Sequence, residues 1–206
     1  MFEATASINF SMGDFNSLEG AHLTHDIEAN HENKNIRHDK THLNTVHEYQ
    51  PIDAYVEENF ERPIQEADAR KIKKGKHKSC DGNYEDYFNR REQNKNRGDK
   101  DKSPARLMVA KYGDEDVGNI IVEQFVSQGV PEDEVLKALG DGINNWAFNF
   151  NKESKHLKLA KWHTHVNERG AAHLHGNALT YGTDSRNMPY TDMANALRDE
   201  FGKYKD

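Results

Sequence analysis

Four histidines and a glutamate fall within one short stretch, Trp162-His163-Thr164-His165-Val166-Asn167-Glu168-Arg169-Gly170-Ala171-Ala172-His173-Leu174-His175. In extended chain alternate side chains share a face, so the imidazoles of His173 and His175 point one way and Leu174 points the other. Two neutral nitrogen donors side by side make a pair of metal ligands, and His165 is placed to supply a third. Three protein ligands leave coordination positions open, as a catalytic metal requires. Glu168, between the ligands, is placed to orient one of them or to take a proton. The competing reading is ordinary surface histidines at strand ends, since a chain with 12 histidines contains H-x-H pairs by chance. Context separates the two.

That context is a hairpin. Residues 157–165 largely alternate apolar with polar or ligand-type side chains, the pattern of a half-buried strand. Residues 173–181 read as a second strand, and Asn167-Glu168-Arg169-Gly170 between them has turn chemistry. Antiparallel pairing of the two runs sets His165 across from His173 and His175.

With 206 residues the chain is long enough for one domain with a real core, and the reading takes residues 1–206 as a single domain. Hydrophobic content of 34% beside 31% charged residues is low, so part of the chain is expected in long polar connections. Residues 14–50 are such a stretch, a polar arm carrying six histidines. Cys80 is the single cysteine, which excludes an internal disulfide and fits a reducing cytoplasm. No secretory leader opens the sequence and no apolar run approaches the length of a membrane span. The net charge of −7 averages two unlike regions. Residues 70–106 hold thirteen basic and six acidic side chains, a balance of +7, which leaves −14 for the remainder. A segment polarised in this way suggests a polyanionic partner, with Lys71, Lys73 and Lys74 as its contacts. The alternative is a solvated connection, above all over residues 94–102, which lack an apolar anchor.

Elsewhere the chain alternates strand and helix signals. Residues 4–12 read as a strand, with Ala6, Ile8 and Phe10 on one face. A helix begins near Pro51 and carries Ile52, Tyr55, Val56, Phe60 and Ile64, with Pro63 expected to kink or end it. A short helix is expected over residues 84–91, a strand over 106–112, and a helix over 117–127 with Ile120, Ile121, Phe125 and Val126 inward. Pro131-Glu132-Asp133-Glu134 is a helix start whose stripe continues through Val135, Leu136, Leu139, Ile143, Trp146 and Phe150. Residues 191–204 close the chain as a helix on Met193, Leu197 and Phe201. The order predicts an α+β fold: an antiparallel sheet with helices packed on one side and the histidine hairpin at its centre.

His165-Val166-Asn167-Glu168 followed by His173-Leu174-His175 resembles the histidine-hydrophobe-histidine signature of the HUH endonucleases, which nick single-stranded DNA. Upstream, Asn33-Lys34-Asn35-Ile36-Arg37-His38-Asp39-Lys40-Thr41-His42-Leu43-Asn44 resembles the early motif of the MobV relaxases, the plasmid mobilisation and recombination proteins. The two motifs stand in the family's order, and the likeness runs over about residues 5–200. It implies His165, His173 and His175 as ligands of a divalent metal, with manganese favoured, and Glu168 as the acidic residue beside them. It implies DNA contacts from the upstream motif, here Arg37, Lys40 and Asn44. The interval from His165 to His173 is one residue longer than the family's, and Ala172 stands where a proline is usual. The family's nucleophile is a histidine of the N-terminal arm in a pattern close to His-x-x-Arg. His25-Asp26-Ile27-Glu28 is the nearest match, with Glu28 in place of the arginine and His22 and His31 as competitors.

The implied activity is site- and strand-specific nicking and strand transfer at a plasmid origin of transfer, through a covalent protein-DNA intermediate, in a bacterial cytoplasm. Its partners are single-stranded or supercoiled plasmid DNA, with no membrane, and a homodimer formed through a C-terminal region beyond Asp206. Other classes remain open at this point. Tyr181 or Tyr190 would serve as nucleophile in a rolling-circle replication initiator. A hydrolase would use Glu168 as base for a metal-bound water. In the last, a structural metal would support DNA binding without catalysis. Three imidazoles lean away from magnesium, which prefers oxygen, and leave manganese, zinc and nickel.

Overall fold

The two runs around the histidines form β4 (Leu157–His165) and β5 (His173–Thr180), neighbours at the middle of a five-stranded sheet ordered β1-β3-β5-β4-β2. The other strands are β1 (Ile8–Gly13), β2 (Thr45–Glu48) and β3 (Ala105–Tyr112). A computed structural model describes residues 8–13, 36–77, 105–113, 115–170, 172–185, 188–190 and 193–202. The helices are α1 (Ile52–Val56), α2 (Arg62–Lys73), α3 (Glu115–Ser127), α4 (Glu132–Glu153) and α5 (Met193–Phe201), with a 3-10 turn at His38–Leu43. β1 runs antiparallel to β3, and β2 antiparallel to β4. The short connection from His165 to His173 permits only antiparallel pairing of β4 with β5. The fold is α+β with an antiparallel sheet, as the order of elements predicts.

The chain divides into two compact units. The first comprises Met1–Glu48, Leu107–Lys152 and Lys161–Asn177, and so contains segments of all five strands together with α3 and most of α4. Period two gives β4 two faces here. Trp162 and Thr164 turn toward α4, whose buried Asn144 donates to Thr45 Oγ1 at 3.1 Å and accepts from Trp162 Nε1 at 3.1 Å and Thr164 Oγ1 at 2.5 Å. Phe148 of the same helix meets the Trp162 ring edge-on at 5.0 Å, and His47 of β2 stacks on it at 5.4 Å. One turn earlier, α4 passes so near the end of β4 that a Cβ on Gly140 would stand 3.1 Å from Val166 Cγ1, close enough that the valine would have to shift by a few tenths of an ångström. Leu136, Val166 and Ala172 close a small core there, with Leu43, Val122 and Leu139 against it. His163 and His165 occupy the opposite face of β4.

The second unit comprises Tyr49–Arg106, Glu153–Ala160 and Ala178–Asp206. Tyr55, Val56, Phe60, Ile64 and Ala67 are buried along its first helices, and the Tyr55 hydroxyl donates to the Thr180 carbonyl at 3.0 Å. Pro63 does not end the helix. The turn before it, Glu57–Glu61, is wound as a π-helix, and Pro63 follows in the first turn of α2 with the helical backbone continuing across Glu61 and Arg62. At the other end, Glu200 of α5 accepts the backbone N–H groups of Lys155 and His156 at 2.9 and 2.7 Å.

Three expectations need correction. The polar arm, expected as a connection with short helical pieces, has one at His38–Leu43, but its last residues also form the edge strand β2, ordered by pairing with β4 rather than by apolar content of its own. On α3, Ile120 (59%), Phe125 (45%) and Val126 (42%) are exposed, so the helix is present but turned outward at those positions, with Val122 on the core instead. On α5, Met193 and Ala196 are buried while Phe201 is exposed, because the helix ends there and leaves its last turn in water. The helix expected at residues 84–91 lies outside the described residues. No described helix is long and apolar enough to cross a membrane.

Candidate functional site

The sequence spacing brings His165, His173 and His175 into one cluster. Ring centroids lie 5.3 Å apart for His165 and His173, 5.3 Å for His165 and His175, and 5.1 Å for His173 and His175. His165 and His173 are buried and His175 is half-buried, so the cluster opens at one ring. Glu168 also arrives. Its Oε2 lies 3.8 Å from Nε2 of His173, and its backbone forms an isolated antiparallel bridge with Ile36. The fourth histidine, His163, lies further along β4, opposite Val46 of β2.

Residues 36–44 act as a lock on the hairpin turn. Asn44 Oδ1 accepts the backbone N–H of Val166 at 3.0 Å, which fixes the orientation of its amide, since a backbone N–H can only donate. Its Nδ2 therefore faces Asn167 Oδ1 at 2.9 Å and Nδ1 of His165 at 3.5 Å, the long end of hydrogen-bonding range. A donor at Nδ1 favours the ring form with its proton on Nε2. Asn167 in turn donates to Thr41 Oγ1 at 3.1 Å and accepts the Arg37 N–H at 2.7 Å. Asn44, expected from the sequence to contact DNA, thus holds the hairpin turn, together with Asn167 and Thr41, which the sequence does not mark as site residues. Their only signal was a run of amides and hydroxyls beside the ligands, which says nothing about partners more than a hundred residues away.

Arg37 and Lys40, expected to contact DNA, are engaged within this unit. Arg37 pairs with Glu132 and also reaches the Val166 carbonyl at 3.4 Å. Lys40 pairs with Asp133 and, at 3.3 Å, with Glu132. The hydrogen bond between Lys40 and Asp133 is the main cause of a raised lysine pKa and a lowered aspartate pKa, so both stay charged. These cations fasten residues 36–44 to the acidic start of α4, where carboxylates also favour the helix dipole.

The remaining assigned residues are elsewhere. Lys71, Lys73 and Lys74 belong to the end of α2 in the second unit, Lys71 beside Asp68 at 3.3 Å and the other two exposed. His25, with its competitors His22 and His31, lies outside the described residues. Tyr190 is buried and donates to Asp199 Oδ2 at 2.6 Å. Burial first, and that hydrogen bond second, push its phenol up to about 12, so ionising it as a nucleophile is costly. Tyr181 is exposed and carries the Lys158 ammonium 4.8 Å above its ring.

Among the described residues, no three His, Cys, Asp or Glu side chains are aimed to hold a metal as they stand. The three imidazole rings are gathered nonetheless. No family model, curated protein or solved structure matches this chain.

Proposed function

We propose that this chain is a metal-dependent nickase and strand transferase of single-stranded DNA, as its resemblance to the MobV relaxases implies, with His165, His173 and His175 as the ligands. The observation that carries this reading is the mutual spacing of the three rings, 5.1 to 5.3 Å. A ring centroid lies about 3.2 Å from a metal bound at about 2.1 Å, so two imidazoles at a tetrahedral angle have centroids about 5.2 Å apart. Turning a histidine about χ2 leaves its centroid in place and moves only its nitrogens, and that torsion is soft. Ring placement is therefore the demanding part of such a site, and nitrogen aim the cheap part. Ligation through Nε2 re-aims His165 and releases its 3.5 Å contact with Asn44, a bond too long to cost much.

A bound divalent ion, manganese first among the candidates, would polarise the phosphate under attack. The chain's own residues hold the reacting groups. Glu168 orients His173, and the lock of Asn44 and Asn167 fixes the turn between the ligand strands. His25 of the arm is the assigned nucleophile, joining the DNA phosphate through a ring nitrogen and releasing the sugar hydroxyl.

The test is to incubate the full chain with manganese and a pool of random-sequence single-stranded DNA, then trap and map any covalent adduct by mass spectrometry. An adduct on His25, absent in His25→Ala, is the expected result, and one on His22 or His31 corrects the residue within the same mechanism. An adduct on Tyr181 or Tyr190 would move the chain to the replication initiators. Cleavage without an adduct would make it a hydrolase, and neither would leave a DNA-binding protein.

A further inference from the structure

The geometry points to Lys111 as a phosphate contact beside the histidine cluster, an inference that rests on the reading of the site as one for single-stranded DNA. The N–H of Tyr112, the last residue of β3, bonds to the carbonyl of Ala172, which immediately precedes β5, at 3.0 Å. Neighbouring strands joined end to start run antiparallel, and continuing that register sets Lys111 opposite His173 and Val109 opposite His175. Residues directly opposite share a face, with Cβ atoms about 4.5–5.5 Å apart. Burial agrees with this register. Met108 (1%) and Ala110 (0%) fall on the closed face with Leu174 (0%), whereas Leu107 and Val109 are half-buried and Lys111 is exposed on the face that carries the histidines.

Among the described residues, Lys111 makes no ion pair, and an extended, flexible ammonium stem can swing over the neighbouring ring cluster. Lys161 of β4 provides the contrast. It belongs to the same face of the sheet, but β2 sets an acidic residue, Glu48, directly opposite it, where β1 sets the neutral Asn9 opposite Lys111. A lysine placed this way contributes a point charge that holds a backbone phosphate without reading the base. It takes the phosphate next to the one under attack, and so sets the position of the strand rather than the chemistry.

The test uses the full chain, a fluorescent oligothymidylate and a chelator, with affinity measured by anisotropy across a salt series. Removing the metal separates this inference from the metal assignment. Lys111→Gln should flatten the plot of log affinity against log salt by about 0.7, the value for one lost phosphate contact on a single strand. Lys111→Arg should keep the wild-type slope, and Lys161→Gln should change it little. Metal affinity of Lys111→Gln should match that of the wild type, which shows that the hairpin is undisturbed. An unchanged slope in Lys111→Gln, or an equal loss in Lys161→Gln, overturns the role of Lys111 and leaves the functional reading standing. A wild-type chain that does not bind the oligonucleotide overturns both.

Discussion

Replacing Asn144 by alanine should cost about 3–7 kcal/mol, a large part of the ~5–15 kcal/mol that keeps a domain folded. The side chain is buried and makes three hydrogen bonds, to Thr45 Oγ1, Trp162 Nε1 and Thr164 Oγ1. Alanine leaves the Trp162 and Thr164 donors buried without an acceptor, at about 1–3 kcal/mol each, and forfeits the bond to Thr45 at about 1 kcal/mol. The same network holds β2 and β4 against α4, and the far face of β4 carries His165, so the damage reaches the site through the strand. Urea denaturation would read the loss. The decisive comparison is a double-mutant cycle with Thr164→Val. Alone, Thr164→Val should cost about 1 kcal/mol, and in the Asn144→Ala background it should be neutral or stabilising, because it removes a hydroxyl already stranded. Equal costs in both backgrounds would refute the network and leave only a packing defect.

Two further outcomes follow from the geometry. Tyr190 has its folded pKa raised from 10 to about 12, so its contribution to stability is complete below pH 10 and is lost as pH rises toward 12. Alkaline unfolding curves should show that loss in the wild type and not in Tyr190→Phe. Glu168→Gln should weaken metal binding by about 10–100-fold, the usual effect of removing a carboxylate that orients a histidine ligand, and calorimetry would measure it.

The histidine hairpin was legible because two-residue periodicity is a local property, and it fixes which imidazoles share a face before any tertiary contact is known. α4 was legible for a similar reason, its apolar stripe and acidic first turn being written in adjacent residues. β2 was not, since Thr45-Val46-His47-Glu48 has one apolar residue and is a strand only by pairing with β4. Arg37 and Lys40 read as free cations because Glu132 and Asp133, their partners, are over ninety positions away. The outward turn of Ile120 and Phe125 was hidden likewise: helical spacing identifies an apolar stripe without saying whether anything covers it.

The most direct test of the central claim is titration of the full chain with cobalt(II), followed by visible absorption and repeated with manganese in competition. The account predicts saturation at a single ion, and loss of binding by more than about a hundredfold in each of His165→Ala, His173→Ala and His175→Ala, a larger effect than that of an outer-shell partner. His163→Ala, the neighbouring histidine outside the trio, should bind as the wild type does. A wild-type chain that takes up no ion, or three single variants that titrate as it does, would contradict the account.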